Sequence, residues 1–329
     1  MIRRARVWAA AAVLLAPLAL TACSSDNAVN KQEATTGAGS GGGYGYKIAV
    51  VTHGAAGDAF WSIVKNGAEK AGKDMGVSLT YSSDGDPQKQ AQLIDAAVNQ
   101  KVDGLVVSMA NPGALKSSVT KAVAAGIAVI TINSGGAESK AFGALTHVGQ
   151  DEAVAGAAVG AQLKTDGVKN AICVIHEAGN VGLEQRCQAA KQALGGTAAN
   201  LQVDNNNLPT AQSTIKAKLQ ADKTIDGVIT LGGQVAGVAV AAIAEAGSSA
   251  KLATFDLNAD VAKAVAAGTI SFAVDQQPYL QGYMGVVLLA QYKSNLNVLG
   301  GGQPVLTGPS LVTKDNAAQI EKLAAAGTR

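Results

Sequence analysis

The chain has 329 residues, with 26 basic and 24 acidic side chains, a formal charge of +2, three cysteines and only twelve aromatic residues. No basic patch and no aromatic-interleaved basic stripe occurs, which argues against nucleic acid as a partner. The length leaves room for two domains after any targeting segment is removed.

Reading from the N-terminus, Arg3, Arg4 and Arg6 precede the apolar run VWAAAAVLLAPLAL and then Leu20-Thr21-Ala22-Cys23. A basic stretch, a short apolar stretch and small residues before a cleavage point make an export signal over residues 1–22. The run is too short and too rich in alanine for a membrane span. Leu-Thr-Ala-Cys resembles a bacterial lipobox, in which Cys23 takes a lipid and becomes the first residue of the mature protein. The alternative is an ordinary signal with a chance cysteine. Residues 23–45, SSDNAVNKQEATTGAGSGGGYG after Cys23, read as a flexible Gly- and Ser-rich linker. Such a tether spans about 25–30 Å root-mean-square and holds a folded body outside the membrane. Membrane contact is expected only through the lipid anchor. Loss of the signal's three arginines leaves 23 basic against 24 acidic side chains, near neutrality.

Six near-continuous apolar runs follow: KIAVVT (47–52), GLVVSM (104–109), IAVITI (127–132), AICVIH (171–176), GVITL (227–231) and KLATF (251–255). Alternating with helical stretches, they predict strands buried on both faces of parallel sheets with crossover helices. Asp86-Pro87 marks a helix start, and Gly76 and Gly126 mark helix ends. A shift of 123 residues lays IAVVTH, ending at His53, on AICVIH, ending at His176. The same shift lays VDGLVV from Val102 on IDGVIT from Ile225, and the strand ending at Asn133 on the one ending at Asp256. One offset kept over three strands implies an α/β fold of two similar doubly wound parallel-sheet domains.

Ligands of open parallel sheets bind beyond the carboxyl ends of the strands. Here those segments are His53 to Trp61, Ser108 to Pro112, Asn133 to Gly136, His176 to Arg186, Leu231 to Gln234 and Asp256 to Asn258. They are rich in amides, hydroxyls and carboxylates, with the aromatics gathered at Phe60 and Trp61. That chemistry suits a neutral polyhydroxylated ring, whose C–H face lies on an aromatic plane while its hydroxyls need donors and acceptors. Neighbouring helical residues point about 100° apart, so one ring of the pair serves the core and at least one faces the cleft.

The stretches DAFWSIVKNGAEKAG, DGLVVSMANPGAL, AGIAVITIN, HVGQDE, NVGLEQRCQAA and ATFD, taken in order with the lipobox, resemble periplasmic sugar-binding proteins of the ribose and galactose type, the solute receptors of ABC importers. The resemblance runs from residue 46 to about 315. It implies two lobes joined by three hinge crossings: residues 46–149 plus 277–307, and residues 150–276 plus 308–329. It also implies a monomer that captures a monosaccharide or polyol and delivers it to permease subunits, with no cofactor, no metal and no catalysis. Position by position it assigns ligand contact to Asp58, Phe60, Trp61, Ser108, Asn133, Arg186, Asp256 and Gln276. Asn207 stands in for an aromatic on the opposite wall, and Gly232 for an asparagine common in ribose binders. Both departures leave hexose, pentose, polyol and cyclitol open.

Plainer roles stand beside these. On these, Phe60 would sit in the core with Trp61 half-exposed and off the ligand, Asp256 would only cap a helix, Arg186 would make a surface ion pair, Gln276 would serve the hinge alone, and His53 and His176 would be structural. Cys173 and Cys187 either form a disulfide or are two small buried hydrophobes. Nucleotide binding fails because TLGGQVAG and GAAGD miss the G-x-G-x-x-G spacing. No catalytic motif is found, which leaves a hydrolase only the pair Asp256 and Asp275. A repressor of related fold lacks its DNA-binding helices. A receptor for a sensor kinase or chemoreceptor, taking a sugar or a furanosyl signal, has the same sequence signature as an importer component.

Overall fold

The computed structural model describes residues 43–55 and 57–329. The signal, Cys23 and most of the linker lie outside the described residues. Two six-stranded sheets organise the chain. The first is ordered β11-β5-β4-β3-β1-β2, from β1 (Lys47–Thr52), β2 (Ser78–Ser83), β3 (Gly104–Ser108), β4 (Ala128–Ile132), β5 (His147–Gln150) and β11 (Val305–Gly308). The second is ordered β12-β10-β9-β8-β6-β7, from β6 (Asn170–Ile175), β7 (Thr197–Gln202), β8 (Gly227–Thr230), β9 (Lys251–Phe255), β10 (Phe272–Asp275) and β12 (Ser310–Val312). All pairings are parallel except β10 with β12.

The 123-residue repeat has a structural counterpart. β1, β3 and β4 occupy the same places in the first sheet as β6, β8 and β9 in the second. The six apolar runs are these six strands, and they are almost wholly buried because helices cover both faces. The two outer strands β2 and β7 are largely exposed and carry mixed sequences, SLTYSS and TAANLQ. Hydrogen bonding to one neighbour holds them, so no apolar run marks them.

Helices α1 (Ala59–Met75), α2 (Pro87–Asn99), α3 (Pro112–Ala124) and the single turn α4 (Gly136–Ser139) belong to the first sheet. Helices α5 (Glu152–Thr165), α6 (Val181–Leu194), α7 (Leu208–Ala221), α8 (Gly233–Glu245), α9 (Ala259–Ala267) and α11 (Ala317–Ala325) belong to the second. The long helix α10 (Pro278–Asn295) returns to the first sheet and packs along α1. The chain therefore passes between the sheets after β5, after β10 and between β11 and β12.

Two helix pairs approach closely enough to need glycine. A Cβ on Gly67 of α1 would lie 2.0 Å from the Tyr279 carbonyl oxygen, and one on Gly282 of α10 would lie 2.0 Å from that of Val64. In the second lobe, Gly156 and Gly160 of α5 meet the backbone of α6 at Arg186 and Ala190 in the same way. Cys173 on β6 and Cys187 on α6 form a disulfide with Cα atoms 5.8 Å apart. Closing a loop of about 15 residues contributes about 3 kcal/mol in the chain-entropy account.

Candidate functional site

The carboxyl ends of both sheets face each other across one cleft, and local backbone chemistry turns the side chains into it. Asn133 and Asp256, equivalent under the repeat, end β4 and β9 in the left-handed conformation with φ of 63° and 66°. Asparagine and aspartate tolerate that region better than other non-glycine residues. Each strand thereby ends by projecting a short polar group toward the opposite lobe.

Gln276, 1% exposed in the crossing after β10, links the two. The Asn133 Nδ2 donates to Gln276 Oε1 at 3.0 Å, and Gln276 Nε2 donates to Asp256 Oδ1 at 2.6 Å. Gln281 Nε2 supports Gln276 Oε1 at 3.1 Å. A relay of donors thus runs from one lobe through the hinge to the other. Burial pushes the Asp256 carboxyl up to about 7, against the opposing pull of Arg186 and the Gln276 hydrogen bond.

Arg186 is 2% exposed on α6 and its guanidinium forms a two-pronged pair with Glu152 at the start of α5, one prong at 2.9 Å. The guanidinium carbon lies 4.8 Å from the Phe255 ring centroid. The close α5–α6 packing that Gly156 and Gly160 permit brings this pair together. Arg186 lines the cleft, but its charge is already matched.

On the other wall Asp58 caps α1, its Oδ1 accepting from the Phe60 nitrogen at 2.8 Å and the Trp61 nitrogen at 3.4 Å. Its Oδ2 accepts from Asn205 Nδ2 of the opposite lobe at 3.4 Å. Burial raises the Asp58 carboxyl as well. Phe60 and Trp61 stand edge to face, centroids 5.1 Å apart. Trp61 is 6% exposed and belongs to the core under β1 and β3, whereas Phe60 is half-buried; both rings border the cleft.

Two assignments change in the structure. Asn207 is exposed and caps α7, accepting from the Thr210 nitrogen at 3.2 Å. Asn205, two residues earlier, stands at the cleft wall instead. Ser108 is fully buried behind His53, bonding its backbone nitrogen at 3.0 Å and its Nδ1 at 2.7 Å, so it orients His53 and does not line the cleft. His53 and His176 do border it, one from each lobe. Burial holds both imidazoles below their ordinary pKa.

Glu177, Asn180 and Ser134 complete the wall. Glu177 lies 3.8 Å from His53 Nε2 and 3.9 Å from His176 Nε2, and accepts from Asn180 Nδ2 at 2.6 Å. Glu177 and Asn180 fall inside a segment marked by sequence, but nothing in the sequence singled them out. Asn205 lay outside every marked segment, because it follows an edge strand with no apolar run.

The lobes touch directly across the cleft. The Val181 nitrogen donates to the Ala110 carbonyl at 3.1 Å, and Gln234 Nε2 to the Gly57 carbonyl at 3.4 Å. This is a closed arrangement.

Residues 48–296 match the family model described as the periplasmic binding protein domain. The chain belongs to this family. A solved carbohydrate transporter from Acidothermus cellulolyticus 11B, in complex with myo-inositol, is 44% identical. It superposes with a TM-score of 0.85 over 87% of this chain and 100% of that one. The ribose import binding protein of Haemophilus influenzae is 27% identical over 239 residues, 69% of this chain and 79% of its own length. That of Bacillus subtilis is 26% identical over 282 residues, 80% and 85% of the two chains. The fold is that of ABC-transporter solute-binding proteins, a family of binding proteins and not of enzymes.

Proposed function

We propose that this binding protein is an extracytoplasmic lipoprotein, anchored through Cys23, that captures a neutral polyhydroxylated ring between its lobes and delivers it to an ABC permease. The relay from Asn133 through Gln276 to Asp256 carries this reading. It presents one donor-acceptor edge to a ring lying between the lobes, with Phe60 and Trp61 beside it as an apolar surface. The myo-inositol bound to the 44% identical transporter supports a cyclitol or a six-membered sugar ring.

The charge of the site favours a neutral ligand. Asp58, Glu177 and Asp256 border the cleft, while the guanidinium of Arg186 is taken by Glu152. A uronate or a sugar phosphate would bring an anion against three acidic side chains, with no unpaired Lys or Arg among the described residues that line the cleft. Hydroxyls buried in the cleft need partners, so an epimer that leaves Asn133 or Asp256 unpaired is disfavoured by about 1–3 kcal/mol. Capture follows a population shift. Ligand contacts both lobes only in the closed state, and its differential affinity stabilises closure.

The test is thermal unfolding of the chain begun after Cys23, stripped of carried-over ligand, against cyclitols, hexoses, pentoses, linear polyols, uronates and sugar phosphates. Ligand at a hundred times its dissociation constant adds about 2.7 kcal/mol, which raises the midpoint by several degrees. A shift with one stereochemical set of neutral rings is expected. No shift with any neutral ring, or a larger one with the anions, would overturn the assignment. Mass spectrometry of the mature N-terminus checks the anchor: an acylated peptide that survives Cys23→Ala rejects it.

A further inference from the structure

The far end of the first lobe carries a surface that ligand capture does not use. Helices α1 and α10 both start at the cleft, where Asp58 caps one and Gln277 precedes the other, and both end at the opposite pole. Seventeen residues of α1 place that pole about 25 Å from the cleft. The chain enters the described body at this pole. The Tyr44 nitrogen donates to the Met75 carbonyl at 3.0 Å and the Gly45 nitrogen to that of Gly76 at 2.9 Å. The hydroxyl of Tyr44 accepts from Gln291 of α10 at 3.3 Å.

Beside that entry point the loop after α10 exposes its apolar side chains. Leu296 is 72% exposed, Val298 64% and Leu299 48%, with Leu306 at 60% on the strand the loop leads into. These four are the majority of the seven large exposed apolar residues among the described residues, and Tyr44 is a fifth. Leu296 also occupies the helix C-cap in the left-handed conformation, φ 57°, where glycine or asparagine is favoured. Neither solubility nor capping accounts for a leucine there.

The charge of this pole is net positive, its acids being Asp103, which accepts from the Lys47 nitrogen at 2.8 Å, and Asp74, which is paired with Lys70. Lys73 and Lys293 lie in the last turns of α1 and α10, Lys47 starts β1, and Lys101 precedes β3. None of the four has an ion-pair partner among the described residues. Apolar side chains on a loop tip, with Tyr44 and Lys293 near them and further lysines at the same pole, match the chemistry of an anionic lipid interface.

We propose that this pole is a membrane foot: Leu296, Val298 and Leu299, with Tyr44 and the lysines of the same pole, rest on the anionic lipid surface from which the protein is tethered. The proposal rests on the lipid anchor at Cys23. A tether of about 20 residues holds the pole within a few nanometres of the bilayer, at an effective concentration near millimolar. A patch too small to bind lipid from solution is thereby kept engaged. Seated on this pole while it waits for ligand, the protein holds its cleft away from the lipid, and it leaves the foot to present the cleft to the permease.

The experiment uses the mature acylated protein on vesicles of phosphatidylethanolamine and phosphatidylglycerol, with and without a spin-labelled quenching lipid. An environment-sensitive fluorophore is placed at Asn297→Cys, or at Gln212→Cys on α7 as the control. Quenching several-fold greater at 297 than at 212 is expected. Adding Leu296→Ser, Val298→Ser and Leu299→Ser together should reduce it to the control value, while the ligand-induced shift in melting temperature stays unchanged. Equal quenching at the two sites on protein shown to be acylated overturns the foot and leaves the anchor standing. Lipid-independent cross-linking of two copies through position 297 also overturns it, assigning the patch to self-association. Protein found unacylated removes the anchor, and the foot with it.

Discussion

Asp256→Asn tests the electrostatics of the cleft directly. The substitution keeps the shape, tolerates the left-handed backbone and still accepts from Gln276, but it removes the charge. In the parent, burial raises the carboxyl from 3.8 to about 7, with Arg186 and Gln276 opposing. A rise of about three pH units at 1.36 kcal/mol each is about 4 kcal/mol. The folded state holds its proton at higher pH than the unfolded chain does. The parent therefore loses stability as pH climbs from about 4 to about 7, and the loss levels off above that. The asparagine variant has no such loss. Its advantage over the parent should grow by up to about 3 kcal/mol between pH 5 and pH 8, with opening of the ligand-free cleft relieving part of it. Scanning calorimetry of both ligand-free proteins at the two pH values reads this as a difference in midpoint that widens by a few degrees. Ligand binding moves the other way. Losing a charged acceptor for a ligand hydroxyl costs about 1.5–3 kcal/mol, a 10- to 150-fold weaker affinity. A variant no more stable than the parent at pH 8, or equally advantaged at both pH values, would refute the reasoning.

Glu152→Gln strands the buried Arg186 charge and should cost about 3–5 kcal/mol in urea unfolding; a cost under 1 kcal/mol would mean the pair is not closed in solution. Gly67→Ala drives a methyl into the Tyr279 carbonyl and should destabilise by about 1–3 kcal/mol or more, read as a lowered urea midpoint, with a neutral result contradicting the α1–α10 contact. Reduction of the Cys173–Cys187 disulfide should lower stability by about 2–4 kcal/mol, and an unchanged melting temperature after verified reduction would place the two thiols apart. Trp61→Ala removes a core ring that also borders the cleft, so it should lose about 3–5 kcal/mol of stability and weaken ligand binding as well; retained affinity in the folded fraction would make the ring purely structural.

Much of this organisation was legible in the sequence, for a physical reason. A strand covered by helices on both faces has to be apolar along its whole length, so β1, β3, β4, β6, β8 and β9 announced themselves and their common offset revealed two similar lobes. Residues just past those strands are placed by the strands, and so Asn133 and Asp256 could be named as cleft residues in advance, whereas Asp58 and Arg186 were named position by position from the family resemblance. Local chemistry could not separate Asn205 from Asn207, since either is a competent helix cap and the edge strand before them leaves no apolar mark. Periodicity also said nothing of Glu152 as the partner of Arg186. That pair exists because glycines let α5 and α6 approach, a contact between residues 34 positions apart.

The sequence alone determined which segments are buried, that the pattern occurs twice, and that the strand ends are polar, because burial and backbone preference act over a few residues. Only the tertiary structure decided which polar groups meet. The bridge of Gln276 between Asn133 and Asp256, the seating of Ser108 behind His53, and the meeting of Tyr44 with the end of α10 all depend on where distant chain segments are brought together. Hydrogen bonds and ion pairs are satisfied by whatever lies within about 3 Å, and sequence spacing carries no measure of that distance.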